Sequence, residues 1–116
     1  MNKIEEKTKN YMDQAIIKFE NYYNSQKYKE GYEAILEILK ENSLNLKLLH
    51  LKMKFEHQLK KYEECLCSCN LLLFLQPNNL EGHQIKLNIL KNQQKFNYLS
   101  DCLVAAMTLF PNNSFT

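Results

Sequence analysis

The sequence contains no arginine and no tryptophan, and it has only two glycines and two prolines among its 116 residues. So few glycines and prolines permit long helices and argue against a β-rich fold, which needs frequent turns. Arginine is the side chain best suited to bidentate contacts with phosphates and guanine edges, so its absence argues against nucleic-acid recognition. The formal net charge of +2 is also too small to provide an electrostatic surface for DNA or RNA.

The chain also lacks a long apolar run and a recognisable targeting segment. Its most apolar stretch, residues 71–75, is far shorter than a membrane span and is followed by Pro77. The first twelve residues include Glu5 and Glu6 and have no apolar core, so they resemble neither a secretory signal nor a mitochondrial presequence. Four cysteines without secretory context are expected to be free thiols. We therefore expect a soluble intracellular protein in a reducing compartment, most simply the cytoplasm, with no membrane insertion.

Three stretches of the chain repeat at a spacing of 34 residues. Each begins with Lys and an aromatic residue, continues as an apolar helical run, and ends at polar residues that include Asn, twice as Pro-Asn-Asn. A fixed period of this length indicates a stacked array, because each unit must bury its apolar face against its neighbour. The stretches are 26–45, 60–79 and 94–113.

The polar stops divide the chain into repeats 12–45, 46–79 and 80–113, preceded by a short helical extension over 1–11. Each repeat holds two segments in which apolar residues recur at helical spacing. Asn45 and Asn79 are predicted helix stops or caps, and Pro77 and Pro111 block helix continuation. We therefore predict one all-α domain of six paired helices, with first helices over 8–25, 46–59 and 80–93 and second helices over 28–41, 62–75 and 96–110.

A 34-residue helix–turn–helix unit with these marks resembles the tetratricopeptide repeat (TPR). In that family an aromatic residue near the start of the second helix precedes a small residue, at the point where the two helices cross closely. Tyr28 with Gly31 and Tyr62 with Cys65 match this pattern, whereas Leu99 is larger than the family prefers. The resemblance covers about residues 12–113 and implies a divergent α-solenoid of three repeats that coils into a right-handed superhelix.

The first helices of the repeats diverge more from the family. The family's tyrosine late in this helix is kept as Tyr22, but Glu56 and Leu90 replace it in the next two repeats. The positions with which chaperone-binding members grip the carboxylates of a partner's tail also differ, since none of the residues there suits that task and two are acidic. The resemblance therefore does not extend to a chaperone-tail clamp; the residues concerned are Ile16, Glu20, Leu51, Glu81 and Ile85.

The resemblance also implies a binding surface, because TPR arrays line their concave face with the first helix of each repeat. In the middle repeat, Lys47, His50, Lys54 and His57 stand at i, i+3, i+7 and i+10, on one side of the helix. A basic surface suits an acidic extended peptide or an amphipathic helix, and the alternative is a solvated helix face that binds nothing. The predicted groove consists of Tyr23, Lys47, His50, Lys54, His57, Gln84, Asn88 and Lys91.

Cysteine and histidine are numerous enough to raise the question of a metal site. On a helix, Cys65 and Cys69 share one face while Cys67 points away, so the three thiols cannot converge on one ion. Cys65 and Cys69 also fall at core positions, where Cys behaves as a small hydrophobic residue. The sequence has no glycine-rich phosphate loop, no HExxH and no nucleophile elbow. We expect no metal, no cofactor and no enzymatic activity.

The last predicted helix carries more apolar surface than one repeat can bury. Free-standing TPR domains generally add a polar helix that covers this face, and only five residues follow Pro111 in this sequence. An uncovered apolar patch usually marks an interface, so we expect another chain or a second copy to dock there. The alternative is that the sequence is a piece of a longer array. The predicted edge interface consists of Leu103, Val104, Met107 and Phe110.

These features predict a protein–protein interaction scaffold, in the simplest case a small accessory subunit that braces a larger assembly. One alternative is a transient peptide-binding adaptor or cochaperone that lacks the carboxylate clamp. An RNA-binding helical-repeat protein is disfavoured by the low charge and the absence of arginine.

Overall fold

The computed structural model describes the backbone of residues 3–113 and the side chains of residues 10–95 and 99–113. The backbone over this range forms six α-helices and no strand. Apart from the earlier start of the first helix, the predicted boundaries are correct to within two residues. The helices are α1 (Lys3–Asn24), α2 (Tyr28–Leu39), α3 (Leu46–Gln58), α4 (Tyr62–Leu75), α5 (Leu80–Asn92) and α6 (Phe96–Leu109).

Asparagine side chains begin two of these helices. The Oδ1 atom of Asn45 accepts a hydrogen bond from the backbone N–H of Leu48 at 3.1 Å, at the start of α3. Asn79 does the same for the N–H of Gly82 at 2.8 Å, at the start of α5. Each bond satisfies one of the backbone donors that a helix leaves unpaired at its first turn. The two residues are 34 positions apart, so the cap is part of the repeat.

The turn between the two helices of each repeat uses a left-handed residue that is not glycine. Gln26, Lys60 and Gln94 have φ angles of 60°, 60° and 57°, again at the 34-residue spacing. After Gln26, the N–H of Lys27 bonds to the carbonyl of Tyr22 at 2.9 Å, which closes the end of α1 in the pattern of a Schellman motif. These three turns reverse the chain, so that each second helix starts at its aromatic residue.

The first compact unit (Met1–Leu59) contains α1, α2 and α3, which all pack on one another. Its core is apolar, with Ile35, Leu48, Met53 and Phe55 fully buried and Phe19 nearly so. One ionisable side chain, Glu56, is also fully buried there.

Gly31 determines how closely α2 packs against α1 and α3. A Cβ atom at Gly31 would lie 2.6 Å from the Phe55 ring and 2.9 Å from the Cβ of Tyr22. Real Cβ atoms do not approach other atoms so closely, so only glycine lets α2 pack against α1 and α3 in this arrangement. This confirms the close helix crossing that the sequence predicts at this position.

The second compact unit (Lys60–Thr116) contains α4, α5 and α6, with α5 packed against both others. Cys65, Cys69, Leu72, Ile89 and Ala106 are fully buried in it. Pro77 and Pro111 follow the ends of α4 and α6 by two residues, as expected for residues that stop a helix. No helix within the described residues combines the length and the apolar character that a membrane span requires.

Candidate functional site

The basic residues predicted for the middle helix lie on one side of α3. Lys47 is exposed, and His50, Lys54 and His57 are half-buried. The opposite side of α3 contributes Leu48, Met53 and Phe55 to the core of the first unit. The helix is therefore amphipathic, with its polar side basic along three turns.

Tyr23 from α1 contacts this basic side directly. The Lys54 ammonium lies over the Tyr23 ring, with Nζ 4.4 Å from the ring centroid. One turn further along α3, Nε2 of Gln58 donates a 3.3 Å hydrogen bond to the Tyr23 hydroxyl. We call Tyr23, Lys54 and Gln58 the Tyr23 cluster. The sequence predicts Tyr23 and Lys54 as residues of one groove, but it does not show their contact with each other or with Gln58.

The Tyr23 ring is held in place by other aromatic rings. The ring of Tyr28, the first residue of α2, meets it edge to face with centroids 5.4 Å apart. Phe55 of α3 meets it in the same way at 5.7 Å, and Tyr28 and Phe55 themselves pair at 6.4 Å. Such edge-to-face pairs are favourable arrangements of aromatic quadrupoles. The three rings join the three helices of the unit and fix the position of Tyr23.

This arrangement is suited to binding an anionic group. The Lys54 ammonium is a cation held over the Tyr23 ring, and a fixed ring reduces the entropy lost when a ligand binds. Lys47 and His50 extend the basic side toward the start of α3, and His57 extends it toward the end.

The structure buries three apolar residues that the helical mapping assigns to the same face. Ile16, Leu51 and Ile85 are almost fully buried, whereas Glu20 is exposed and Glu81 is half-buried. The resemblance to TPR domains assigns these five residues to the positions at which chaperone-binding members hold a carboxylate. Buried aliphatic side chains and carboxylates have no donor to offer there, so the chemistry at these positions remains unsuited to a carboxylate clamp.

The predicted groove residues of the second unit lie on α5. Gln84, Asn88 and Lys91 are all exposed and follow one another at i, i+4 and i+7, so they share one side of that helix. Asn92 donates to Asn88 across one turn at 3.2 Å. This side of α5 is polar and carries one cation, Lys91.

The predicted edge residues lie on α6 and differ in exposure. Val104 and Met107 are 63% and 53% exposed, whereas Leu103 and Phe110 are half-buried. The Phe110 ring meets His83 edge to face at 5.7 Å, and Nε2 of His83 donates to the Pro77 carbonyl at 2.8 Å. Phe110 is thus fixed against the start of α5, while Val104 and Met107 are open to solvent.

Two other surfaces, one apolar and one of mixed polarity, are absent from the sequence-based prediction. Phe74 on α4 is 82% exposed, and Leu71 lies one turn before it on the same side. An open groove of about 570 Å³ runs between α1 and α2, with Ala15, Phe19 and Ile38 among its lining residues. The spacing of apolar residues predicts which side of a helix is apolar, but it does not show which apolar sides another helix covers.

The cysteines occupy the positions that helical spacing predicts. Cys65 and Cys69 are fully buried and Cys67 is exposed, so the three thiols do not face one point. Among the side chains that the structure describes, no three His, Cys, Asp or Glu groups converge closely enough to hold a metal ion.

The fold is similar to TPR structures. The MamA D159K mutant matches with a TM-score of 0.76 at 21% identity, over 85% of this chain and 58% of that one. The first TPR of Spaghetti (RPAP3) bound to the HSP90 peptide SRMEEVD matches with a TM-score of 0.75 at 20% identity, over 85% of this chain and 79% of that one. For the first TPR domain of human RPAP3 the TM-score is 0.71 at 20% identity, over 85% and 78%.

This chain corresponds to a little over half the length of the MamA chain. No family model and no curated protein matches the sequence. At these identities the likeness concerns the fold, and it confirms the all-α, TPR-like helical-repeat architecture that the 34-residue spacing predicts.

Proposed function

We propose that this protein is a protein–protein interaction scaffold with no catalytic role, and that it acts as a small accessory subunit of a larger assembly. The Tyr23 cluster is the observation that carries the proposal. A lysine positioned over a fixed tyrosine ring, on the basic side of α3, is a pre-arranged contact for an acidic partner.

The proposed ligand of this surface is an acidic extended peptide or the acidic side of an amphipathic helix. A TPR-like neighbour, the first TPR of RPAP3, binds the peptide SRMEEVD, which contains two glutamates and an aspartate. That example supports peptide binding as a mode open to this fold. The present chain would use different groups, with Lys47, His50, Lys54 and His57 of α3 supplying the charge and Tyr23 the ring. Gln84, Asn88 and Lys91 are proposed as further contacts on α5.

We propose a second contact at the edge formed by Leu103, Val104, Met107 and Phe110. Val104 and Met107 each expose more than half of their surface and are the proposed apolar anchor for another chain. This contact would be apolar, so its strength would change little with ionic strength, whereas the contact at the Tyr23 cluster would weaken. The proposal includes a reducing intracellular compartment, which suits four cysteines that form no disulfide.

Native affinity purification of the tagged chain, with quantitative mass spectrometry, tests the proposed role. An accessory subunit should recover partners in fixed stoichiometry that survive high salt and are lost in a Val104→Lys/Met107→Lys variant. The alternative role, a transient peptide-binding adaptor, predicts substoichiometric partners that are lost with salt or in a Lys47→Glu/Lys54→Glu variant. A chain that recovers no partner under either condition would contradict both roles.

A further inference from the structure

The 34-residue period relates two surfaces at opposite ends of the described chain, one apolar and one of mixed polarity. One is the side of α6 that exposes Val104 and Met107. The other is the open groove between α1 and α2, to which α1 contributes Tyr11, Gln14 and Lys18. Both surfaces contain the helix positions that pack one repeat against the next in the α2–α3 and α4–α5 contacts.

The contact between α4 and α5 shows how a second helix joins the first helix of the following repeat. The Leu73 side chain of α4 lies against Gly82 of α5, with its Cδ2 atom 3.1 Å from the place that a Cβ would occupy. In the first unit, α2 packs on α3 in the corresponding way along the chain. Leu39 and Leu48, which precede Leu73 and Gly82 by one repeat, are both buried there.

Met107 is the residue of α6 that corresponds to Leu39 and Leu73, and Gln14 is the residue of α1 that corresponds to Leu48 and Gly82. Met107 follows Leu73 by one period on α6, and Gln14 precedes Leu48 by one period on α1. Both are exposed, unlike Leu39 and Leu48, which are buried. Within the described residues, the Met107 side of α6 therefore corresponds to the side of α4 that packs on α5. The Gln14 side of α1 corresponds to the side of α5 that packs on α4.

The same register pairs exposed Met107 and half-buried Leu103 and Phe110 of α6 with the lining of the groove. If Met107 lies opposite Gln14, antiparallel helices bring Phe110 opposite Tyr11 and Leu103 opposite Lys18. All three α1 residues line the groove, whose floor includes the apolar Phe19. The only charged residue of α6 is Asp101, so the helix itself would bring little charge into the contact. The charged lining residues of the groove are Lys18 of α1 and Glu37 and Glu41, which would have to keep their charged groups in contact with water at its rim.

We propose that α6 of one copy of this protein docks into the α1–α2 groove of a second copy, in the register that joins α4 to α5 within one chain. The two surfaces differ, so the contact is heterologous. A pair of copies would keep an unoccupied groove at one end and an unoccupied α6 surface at the other. Copies would then add head to tail, as open chains or rings, and would not stop at a twofold dimer. The inference rests on the edge part of the proposed function and is independent of the Tyr23 cluster.

Analytical ultracentrifugation of the purified full chain tests this directly. The mean mass should rise with concentration from the micromolar to the millimolar range, past the mass of a dimer. Met107→Lys should weaken the association roughly 10-fold or more, because it replaces the apolar side chain at the middle of the contact with a charged one. Phe74→Ser removes a more exposed apolar side chain outside both surfaces and should leave the association unchanged.

A mixing experiment separates head-to-tail assembly from other association. Met107→Lys blocks the edge and Ala15→Glu blocks the groove, so each variant alone should be monomeric. A mixture should form a one-to-one dimer, since one intact edge and one intact groove remain. If circular dichroism shows that Ala15→Glu loses helicity, Tyr11→Glu, at a side chain that is 64% exposed, replaces it.

Three results would overturn the inference. They are a wild-type chain that stays monomeric to millimolar concentration, a mixture of the two variants that stays monomeric, and loss of association in Phe74→Ser. These assays use no other protein and no peptide. A failure of head-to-tail assembly would therefore leave peptide binding at the Tyr23 cluster to be judged separately.

Discussion

The hydroxyl of Tyr32 on α2 donates a 2.7 Å hydrogen bond to Oε2 of Glu56 on α3, a carboxylate that is fully buried. The same oxygen accepts a 2.7 Å bond from Nζ of Lys52, whose side chain is 21% exposed. A buried carboxylate is tolerated only when it is paired and hydrogen bonded. Tyr32 and Lys52 thus permit an acidic residue at a position where the TPR pattern has tyrosine.

We predict that Tyr32→Phe lowers the free energy of unfolding by about 1.5–3 kcal/mol, because it removes a donor to a buried charged group. Urea denaturation followed by circular dichroism measures this change. The matched control is Tyr11→Phe, at a largely exposed ring, and it should change the free energy by less than about 0.5 kcal/mol. Equal effects of the two variants would show that the Tyr32–Glu56 bond contributes nothing.

The two glycines should respond differently to alanine. Gly31→Ala forces a Cβ against the Phe55 ring and the Tyr22 Cβ, and we predict a loss of about 1–3 kcal/mol of stability. Gly82→Ala meets only the flexible tip of Leu73 at 3.1 Å and the Asn79 side chain at 3.3 Å, and it gains helix propensity. Its net effect should stay within about 1 kcal/mol. Thermal and urea unfolding of both variants would show the difference, and a neutral Gly31→Ala would contradict the close crossing.

Gln26 and Gln94 offer sites for stabilisation. Both hold left-handed backbone angles that cost a residue with a side chain about 1 kcal/mol or more. Replacing either with glycine should raise stability by roughly 0.5–1 kcal/mol, after the greater freedom of glycine in the unfolded chain is included. As a control, Glu33→Gly, at an exposed position inside α2, should lower stability by about 1 kcal/mol. The midpoint of urea unfolding should move in opposite directions for the two kinds of variant.

The asparagine caps should each contribute measurable stability. Asn79→Ala removes the acceptor for the Gly82 N–H, and Asn45→Ala removes that for the Leu48 N–H. Each change should cost about 1 kcal/mol. The neighbouring Asn78→Ala is the control, since Asn78 is exposed and does not cap the helix. If Asn78→Ala costs as much as Asn79→Ala, the loss does not come from the cap.

The repeat spacing is sufficient to predict most of the fold. Lys followed by an aromatic residue predicts where each second helix begins, and α2, α4 and α6 do start at Tyr28, Tyr62 and Phe96. Asn45 and Asn79 are predicted as stops or caps from residue type alone, and they cap α3 and α5. These features are local, so a single sequence contains the information needed to predict them.

Features that depend on contacts between helices were not predictable in the same way. Glutamine and lysine do not signal a left-handed backbone, so the conformation of Gln26, Lys60 and Gln94 could not be read from residue type. The burial of Glu56 depends on Tyr32, which lies 24 residues earlier. For the candidate site, helical spacing places Tyr23 and Lys54 on one face, but their contact requires α1 and α3 to be packed together.

The measurement that tests the central claim most directly is selection of ligands for the purified chain from a displayed library of random peptides, followed by calorimetry. We predict enrichment of peptides rich in Asp and Glu, with binding that weakens as salt increases. Lys54→Glu should weaken it at least roughly 10-fold, as expected when a favourable charge contact becomes repulsive. Lys29→Glu, at an exposed lysine of α2, should have little effect. Failure to enrich acidic peptides, or affinity that is unchanged in Lys54→Glu, would contradict the account.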